Sequence, residues 1–115
     1  MEEQAVTRTI LDSYELNAEV PVGVVEVRRI TIPPKVASGA HWHNGPVFGT
    51  IESGSVQFQV GVEEARILRS GDIFFEPADR TITRFDATEE GVTFLAWFPL
   101  AHGSSPSLTL GEAGA

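Results

Sequence analysis

Short strand-forming segments separated by turn residues recur along most of this chain, and this recurrence constrains the fold more than any other feature. Val56, Phe58 and Val60 alternate with two glutamines, which is the clearest period of two in the sequence. Turns rich in glycine, proline, asparagine and aspartate return about every 8–12 residues, which is typical of β-sandwiches and barrels. No segment predicts a long helix. The pattern therefore indicates an all-β barrel.

The predicted strands follow one another closely along the chain. In order, they are residues 7–12, 22–32, 41–43, 47–51, 55–60, 65–68, 73–76, 81–85 and 92–98. Residues 52–54 and 88–91 are predicted to be turns. Polar residues predominate among the first five, and small residues predominate from Pro99 onwards, so we expect both ends to pack loosely. We predict one domain over residues 1–115, with its core at about residues 22–98.

The composition excludes several kinds of protein. Sixteen acidic residues outnumber eight lysines and arginines, and the net charge of −8 argues against binding to nucleic acid. No apolar run approaches the ~20 residues that a membrane helix requires. Residues 1–4 lack the basic character of a secretory signal, and there is no cysteine to form a disulfide. We expect a cytoplasmic protein that contacts neither nucleic acid nor membrane.

Two of the three histidines lie two residues apart, at His41 and His43, in a segment marked by glycine and proline. In a β-strand, residues i and i+2 point to the same face. The two imidazoles are therefore predicted to converge on one point, as nitrogen ligands of a metal do.

The spacing around these histidines is that of a known sequence motif. Gly39 precedes His41 and His43, and Gly54 follows at the interval of the motif's closing glycine. This arrangement resembles the first motif of the cupin superfamily, in which a glutamate follows the histidines. Val47 stands in the glutamate slot.

A second segment resembles the second cupin motif at its first glycine and its proline but not at its ligand positions. Gly71 and Pro77 have the expected separation. Asp79, however, takes a glycine slot, Ile82 the slot of the third histidine and Asp86 that of an asparagine. The resemblance covers residues 22–98 and is closest to small, single-domain members. It implies a double-stranded β-helix, that is, a jelly-roll barrel, in which two of four family metal ligands are present.

Three interpretations of His41 and His43 are open. They bind a divalent transition metal (Fe, Mn, Ni or Zn) with a third group, they bind or protonate an organic ligand without metal, or they only make structural hydrogen bonds. Glu76 is a candidate for the third group and for an acid or base, because it precedes Pro77 at a strand end. Further candidates are Gln57, Gln59 and His102.

Substrate contacts are expected from strands that face the barrel cavity. If Ile82 points inward, strict alternation also turns Arg84 inward, where it would bind an anion. A slip by one residue would place Thr83 and Phe85 inside instead. The candidate substrate-binding residues are Arg84, Gln57, Gln59, Val47 and Ile82. The aromatic residues favour an apolar or aromatic ligand.

These features, with the resemblance, predict an enzyme that acts on a small molecule. The leading hypothesis is a metal-dependent dioxygenase or isomerase with His41, His43 and Glu76 as catalytic residues. The alternatives are a metal-independent cyclase or isomerase that uses histidine as acid or base, and a non-catalytic ligand-binding or sensory barrel. Similarity to small cupins also implies a homodimer.

Overall fold

Seven β-strands make up the computed structural model, which describes residues 5–114. They are Val24–Ile32 (β1), His41–His43 (β2), Val47–Val60 (β3), Arg66–Arg69 (β4), Ile73–Glu76 (β5), Ile82–Leu100 (β6) and Leu108–Leu110 (β7). The predicted all-β jelly-roll barrel is confirmed. Nothing within residues 5–114 forms a helix long and apolar enough to cross a membrane.

The two longest strands, β3 and β6, connect two antiparallel layers. In one layer β1 pairs with the second half of β6, which pairs with the first half of β3 and then β5. In the other layer β4 pairs with the second half of β3, which pairs with the first half of β6, followed by β2 and β7. Because both long strands cross between the layers, the layers enclose one interior.

Glycines mark the place where the long strands change layer. The register between β3 and β6 shifts on both sides of Gly54, and both Gly54 and Gly91 have positive φ angles, of 76° and 70°. The predicted turns at 52–54 and 88–91 are therefore wrong, since both strands continue through these residues. A β-bulge bends a strand sharply without reversing the chain, and local turn residues do not distinguish the two outcomes.

Aromatic rings fill the space between the layers. The ring of Phe85 lies 5.2 Å from that of Phe74 and 4.8 Å from that of Phe94, measured between centroids. Phe58 joins this cluster from β3. The alternation predicted around Phe58 is present, so Gln57 and Gln59 point away from the interior.

The predicted edge strand at residues 7–12 is wrong. This segment makes no ladder with any described strand. The N-terminal segment is held instead by Tyr14, whose ring stacks on Phe75 at 4.7 Å and lies 6.0 Å from Phe48. The apolar side chains that suggested a strand, including Ile10, remain exposed. Their strand propensity had no partner strand to act on.

The C-terminal segment that follows Pro99 is more ordered than its composition suggests. Leu108–Leu110 pairs with β2, which places Leu110 opposite His41 and Leu108 opposite His43. The Gly111 N–H also donates a hydrogen bond to the Ala40 carbonyl at 2.9 Å. Strand β7 thus provides hydrogen-bond partners for the backbone of β2, which would otherwise be an unpaired edge strand.

Replacing Tyr14 by alanine is expected to release the N-terminal segment while leaving the barrel folded. One aromatic stack contributes about 1 kcal/mol, so the free energy of unfolding should fall by about that amount. Limited proteolysis should cut residues 5–16 faster in this variant. Ile10→Ala is the control, because Ile10 is 85% exposed. If both variants are cut at the wild-type rate, the stack does not hold the segment.

Candidate metal centre

Three buried side chains meet at one end of the interior. His41 and His43 lie on one face of β2, and Glu76 is the last residue of β5. Their exposed fractions are 3%, 9% and 4%. Oε1 of Glu76 is 2.9 Å from Nε2 of His43 and 3.9 Å from Nε2 of His41. The convergence predicted for the two imidazoles is present.

Backbone carbonyls determine which nitrogen of each ring carries a proton. Nδ1 of His41 is 2.8 Å from the Gly39 oxygen, and Nδ1 of His43 is 3.1 Å from the Ser107 oxygen. A carbonyl oxygen only accepts hydrogen bonds, so each Nδ1 must carry the proton. In the neutral imidazole the lone pair is then on Nε2, directed toward the Glu76 carboxylate.

This donor set requires a positive charge. Two nitrogen lone pairs and a carboxylate oxygen repel one another in a buried site unless a proton or a metal ion lies between them. Ligand atoms of His41, His43 and Glu76 lie within 4.8 Å of one another, as metal ligands do. Two histidines and one carboxylate also match the ligand set of non-heme iron sites. These residues therefore fit a divalent transition metal.

The same contacts perturb two pKa values. Burial lowers the pKa of His41, but Glu76, the Gly39 carbonyl and Asp86 outweigh burial and raise it above 6.5. Burial raises the pKa of Glu76, but the two histidines outweigh it and lower the pKa below 4.5. Each group thus favours the charged form of the other.

The carboxylate belongs to a different strand from that of the resembled motif. Val47, in the motif's glutamate slot, is paired with Glu76 across β3 and β5. Ile82, in the slot of the third histidine, is paired with His41. The site thus has a carboxylate on the strand beside the usual one and an aliphatic side chain in place of the third imidazole. The sequence signal for Glu76 was its position immediately before Pro77.

The predicted substrate residues are divided between the interior and the surface. Val47 lines the cavity, and Ile82 is fully buried next to His41. Gln57 and Gln59 lie on the outer side, where Nε2 of Gln59 donates to the Glu63 carbonyl at 2.9 Å. These two glutamines therefore do not reach the site.

Arg84 lies outside the cavity as well, with its side chain 49% exposed and 3.8 Å from Asp86. The pairing of β3 with β6 passes from Gln59–Arg84 directly to Val60–Ile82, so Thr83 is an extra residue in a bulge. Because of that bulge, Ile82 and Phe85 both face inward. Neither strict alternation nor a simple slip of the strand predicts this arrangement.

His102 is not part of the site. It lies after β6, is exposed, and packs its ring over Gly23, where an added Cβ atom would be 2.3 Å from the ring. It therefore has a structural contact of its own.

A cavity of about 170 Å³ opens beside the three residues. Its lining residues are Ile30, Ile32, Ser38, His41, His43, Val47, Phe74, Glu76, Phe85, Phe94, Ala96, Phe98 and Leu108. A larger groove of about 470 Å³ lies elsewhere, between the N-terminal segment and the outside of the barrel. The smaller cavity is the candidate functional site, because the convergent polar groups face it.

The jelly-roll barrel and its strand with two histidines define a class of protein, and sequence comparison agrees. A family model described as "Cupin domain" matches residues 28–98, more than half of the chain. The chain therefore belongs to the cupin family. A search of the curated proteins found no significant match.

Solved structures of similar fold include two named enzymes. The DMSP lyase DddQ from Ruegeria pomeroyi has a TM-score of 0.66 and 16% identity, covering 79% of this chain and 45% of that chain. Oxalate decarboxylase from Bacillus subtilis has a TM-score of 0.66 and 21% identity, covering 75% and 23%. A cupin-like protein from Thermotoga maritima has a TM-score of 0.64 and 22% identity, covering 76% and 65%. At these identities the likeness shows the fold alone, and the chain spans less than half the length of either enzyme.

The metal-free protein is expected to be most stable at mildly acidic pH. The pKa of Glu76 is lowered on folding, so its contribution is present above its ordinary pKa of 4.5 and is lost as the pH falls through the lowered value. The pKa of His41 is raised, so its contribution is complete below 6.5 and is lost as the pH rises through the raised value. The free energy of unfolding of chelator-treated protein, measured in urea, should therefore be greatest between pH 4.5 and pH 6.5, where both contributions are present. A stability that rises steadily into the alkaline range would contradict this assignment.

Proposed function

We propose that the protein is a metal-dependent cupin enzyme that acts on a small molecule inside the barrel, with dioxygenase or isomerase chemistry. His41, His43 and Glu76 hold the ion, which is Fe, Mn, Ni or Zn. The observation that carries the proposal is the convergence of two Nε2 lone pairs and a buried carboxylate on one point. Among the proteins of similar fold, oxalate decarboxylase from Bacillus subtilis has Mn(II) centres.

Each residue has a distinct role in this proposal. The carbonyls of Gly39 and Ser107 fix both imidazoles with Nε2 directed inward, so the ligands need little reorganisation. Glu76 supplies the negative charge that partly neutralises the ion. The apolar walls exclude water and strengthen these interactions. The metal, when bound, would act as a Lewis acid or activate an oxygen-containing ligand.

A metal-independent isomerase or cyclase is the second candidate. It is favoured by the 2.9 Å contact between His43 and Glu76, which is short enough for proton transfer. In this case a proton on Nε2 provides the positive charge that the site requires. His43 would donate this proton to the substrate, and Glu76 would stabilise the protonated ring. A non-catalytic binding barrel would use the same cavity without turnover.

Metal content separates these candidates. Chelator-treated protein is reconstituted with each candidate ion and desalted, and its metal is measured by mass spectrometry. We expect about one ion per chain, lost in His41→Ala and retained in His102→Ala, since one bound ion needs the converging ligands. Protein that retains no metal after reconstitution would exclude the metal enzyme. Oxygen consumption during turnover then distinguishes a dioxygenase from an isomerase.

We further propose a homodimer formed by the outer face of the layer that contains β1. Val27, Trp97, Phe48 and Phe75 are cross-strand neighbours in register, so they form one apolar row on this face. Tyr14 covers one end of the row, and Val27 at the other end is 52% exposed. Outward positions of such a sheet are usually polar. A second copy would bury the same row on both partners.

Light scattering during size-exclusion chromatography tests the dimer. The measured mass should be twice 12.4 kDa, and Val27→Lys should lower it toward that of one chain. A wild-type mass of one chain at micromolar concentration would contradict the dimer and leave the proposed metal site unaffected.

A further inference from the structure

The cavity beside the candidate metal centre has almost no means to neutralise a charged ligand. Its polar lining side chains are Ser38, His41, His43 and Glu76, and all the others are aliphatic or aromatic. All eight lysines and arginines lie among the described residues, and none of them lines this cavity. The nearest cation is Arg28, which lies 5.4 Å from the Phe98 ring but is already paired with Glu26. Within the cavity itself, a ligand with several charges would have no counter-ion except the metal.

The charge balance of the centre sets the charge of the ligand. A divalent ion, two neutral imidazoles and the Glu76 carboxylate leave one net positive charge. The carboxylate of Asp86, which also acts on His41, has its own counter-ion in Arg84 at 3.8 Å. A ligand that coordinates through one ionised oxygen cancels the net positive charge. A dianion would leave an uncompensated negative charge between apolar walls, which is costly.

The size of the cavity accommodates roughly one ring inside the barrel. Its volume of about 170 Å³ is close to that of an engineered apolar cavity of about 150 Å³ that binds benzene. It is smaller than the ~300–1,000 Å³ of sites for drug-sized ligands. Phe74, Phe85, Phe94 and Phe98 supply aromatic wall surface for such a ring.

One of the residues that line the cavity, Ser38, has a side-chain oxygen without a hydrogen-bond partner. Ser38 Oγ is buried and makes no hydrogen bond to any residue that the structure describes. The proposed metal site does not use this hydroxyl. Burying an unpaired hydroxyl costs free energy, so rotation of the Ser38 side chain toward a ligand oxygen in the cavity would satisfy a group that the fold leaves unsatisfied.

We propose that the cavity takes a ring-sized molecule with an apolar body and a single acidic hydroxyl, as in a phenol or an enol, and that Ser38 donates a hydrogen bond to an oxygen of this ligand. The inference rests on the proposed metal function. Such a cavity selects against small dianions, and Ser38 is a substrate-binding residue in it.

Fluorine NMR of the zinc-loaded protein tests the proposal, because Zn²⁺ is diamagnetic. The probes are 4-fluorophenol, which has the acidic hydroxyl, and fluorobenzene, which lacks it. Both should bind. Ser38→Ala should weaken binding of 4-fluorophenol by about 5- to 10-fold, the usual effect of one hydrogen bond, and leave fluorobenzene unchanged. Excess oxalate should not displace either probe.

A cavity-filling variant locates the probes. Ile32 lines the cavity from β1, so the larger side chain of Ile32→Trp should occupy the cavity and abolish binding of both probes. Ile67→Trp should not abolish binding, since Ile67 is on β4 and does not line the cavity. Thermal unfolding of each variant verifies that it is folded. If Ile32→Trp does not fold, the Ser38→Ala comparison still decides.

Several results would overturn the proposal. These are displacement of a probe by excess oxalate from protein that keeps its zinc, equal weakening of both probes by Ser38→Ala, or no binding of 4-fluorophenol. Zinc content is measured in the same samples. Protein that retains zinc but does not bind 4-fluorophenol contradicts this inference alone. Protein that retains no zinc contradicts the proposed metal function and the charge argument that rests on it, whereas the Ser38→Ala comparison still decides the assignment of Ser38.

Discussion

Glu76→Gln is expected to lower the affinity for a divalent metal by about 100-fold or more, since even the loss of a partner behind a ligand costs about 10–100-fold. The substitution keeps the shape of the side chain and removes its charge, which is the only full negative charge among the three converging residues. Competition with a fluorescent chelator measures the change. Glu63→Gln is the matched control, because Glu63 is an exposed carboxylate paired with Arg80.

At alkaline pH, where His41 is neutral, the same variant should leave the metal-free protein nearly as stable as the wild type. The glutamine amide can donate a hydrogen bond to the Nε2 lone pair of His43, so that pair keeps a partner. The stability maximum at mildly acidic pH should disappear, because the carboxylate that raises the pKa of His41 is gone. If metal affinity is unchanged while this maximum disappears, Glu76 stabilises the protein and is not a ligand.

Gly54→Ala is expected to lower the free energy of unfolding by about 3 kcal/mol or more, among the largest effects of a single substitution. An added Cβ atom would lie 2.0 Å from the carbonyl oxygen of Gly91. That oxygen belongs to the backbone, so no side-chain rotation relieves the overlap. The φ angle of Gly54, 76°, also disfavours any residue with a Cβ atom. Both effects act where β3 and β6 change layer.

Gly71→Ala separates the two effects in the same urea experiment. Gly71 has a φ angle of 92°, but an added Cβ atom would have no neighbour within 4 Å. Its cost should therefore be only the backbone term of about 1 kcal/mol. If Gly54→Ala costs no more than Gly71→Ala, the close approach of the two long strands does not constrain the fold.

Several features followed from local patterns in the sequence. A period of two in β3 predicts which residues face inward, and the spacing of His41 and His43 predicts that both rings share one face, because strand geometry fixes the direction of alternate side chains. Glycine spacing also indicated the jelly roll. At the family's glycine slot, Asp79 still adopts a φ angle of 59°. Aspartate tolerates this conformation, so the turn survives the substitution.

The sequence by itself thus determined the barrel, the paired histidines and the order of most strands. Only the tertiary structure decided what completes the site. Glu76 reaches the histidines because β5 pairs with β3 in a register that sets Glu76 beside Val47. Arg84 is at the surface because a bulge at Thr83 reverses the alternation of β6. Register and bulges depend on partners distant in the chain, so no local period encodes them.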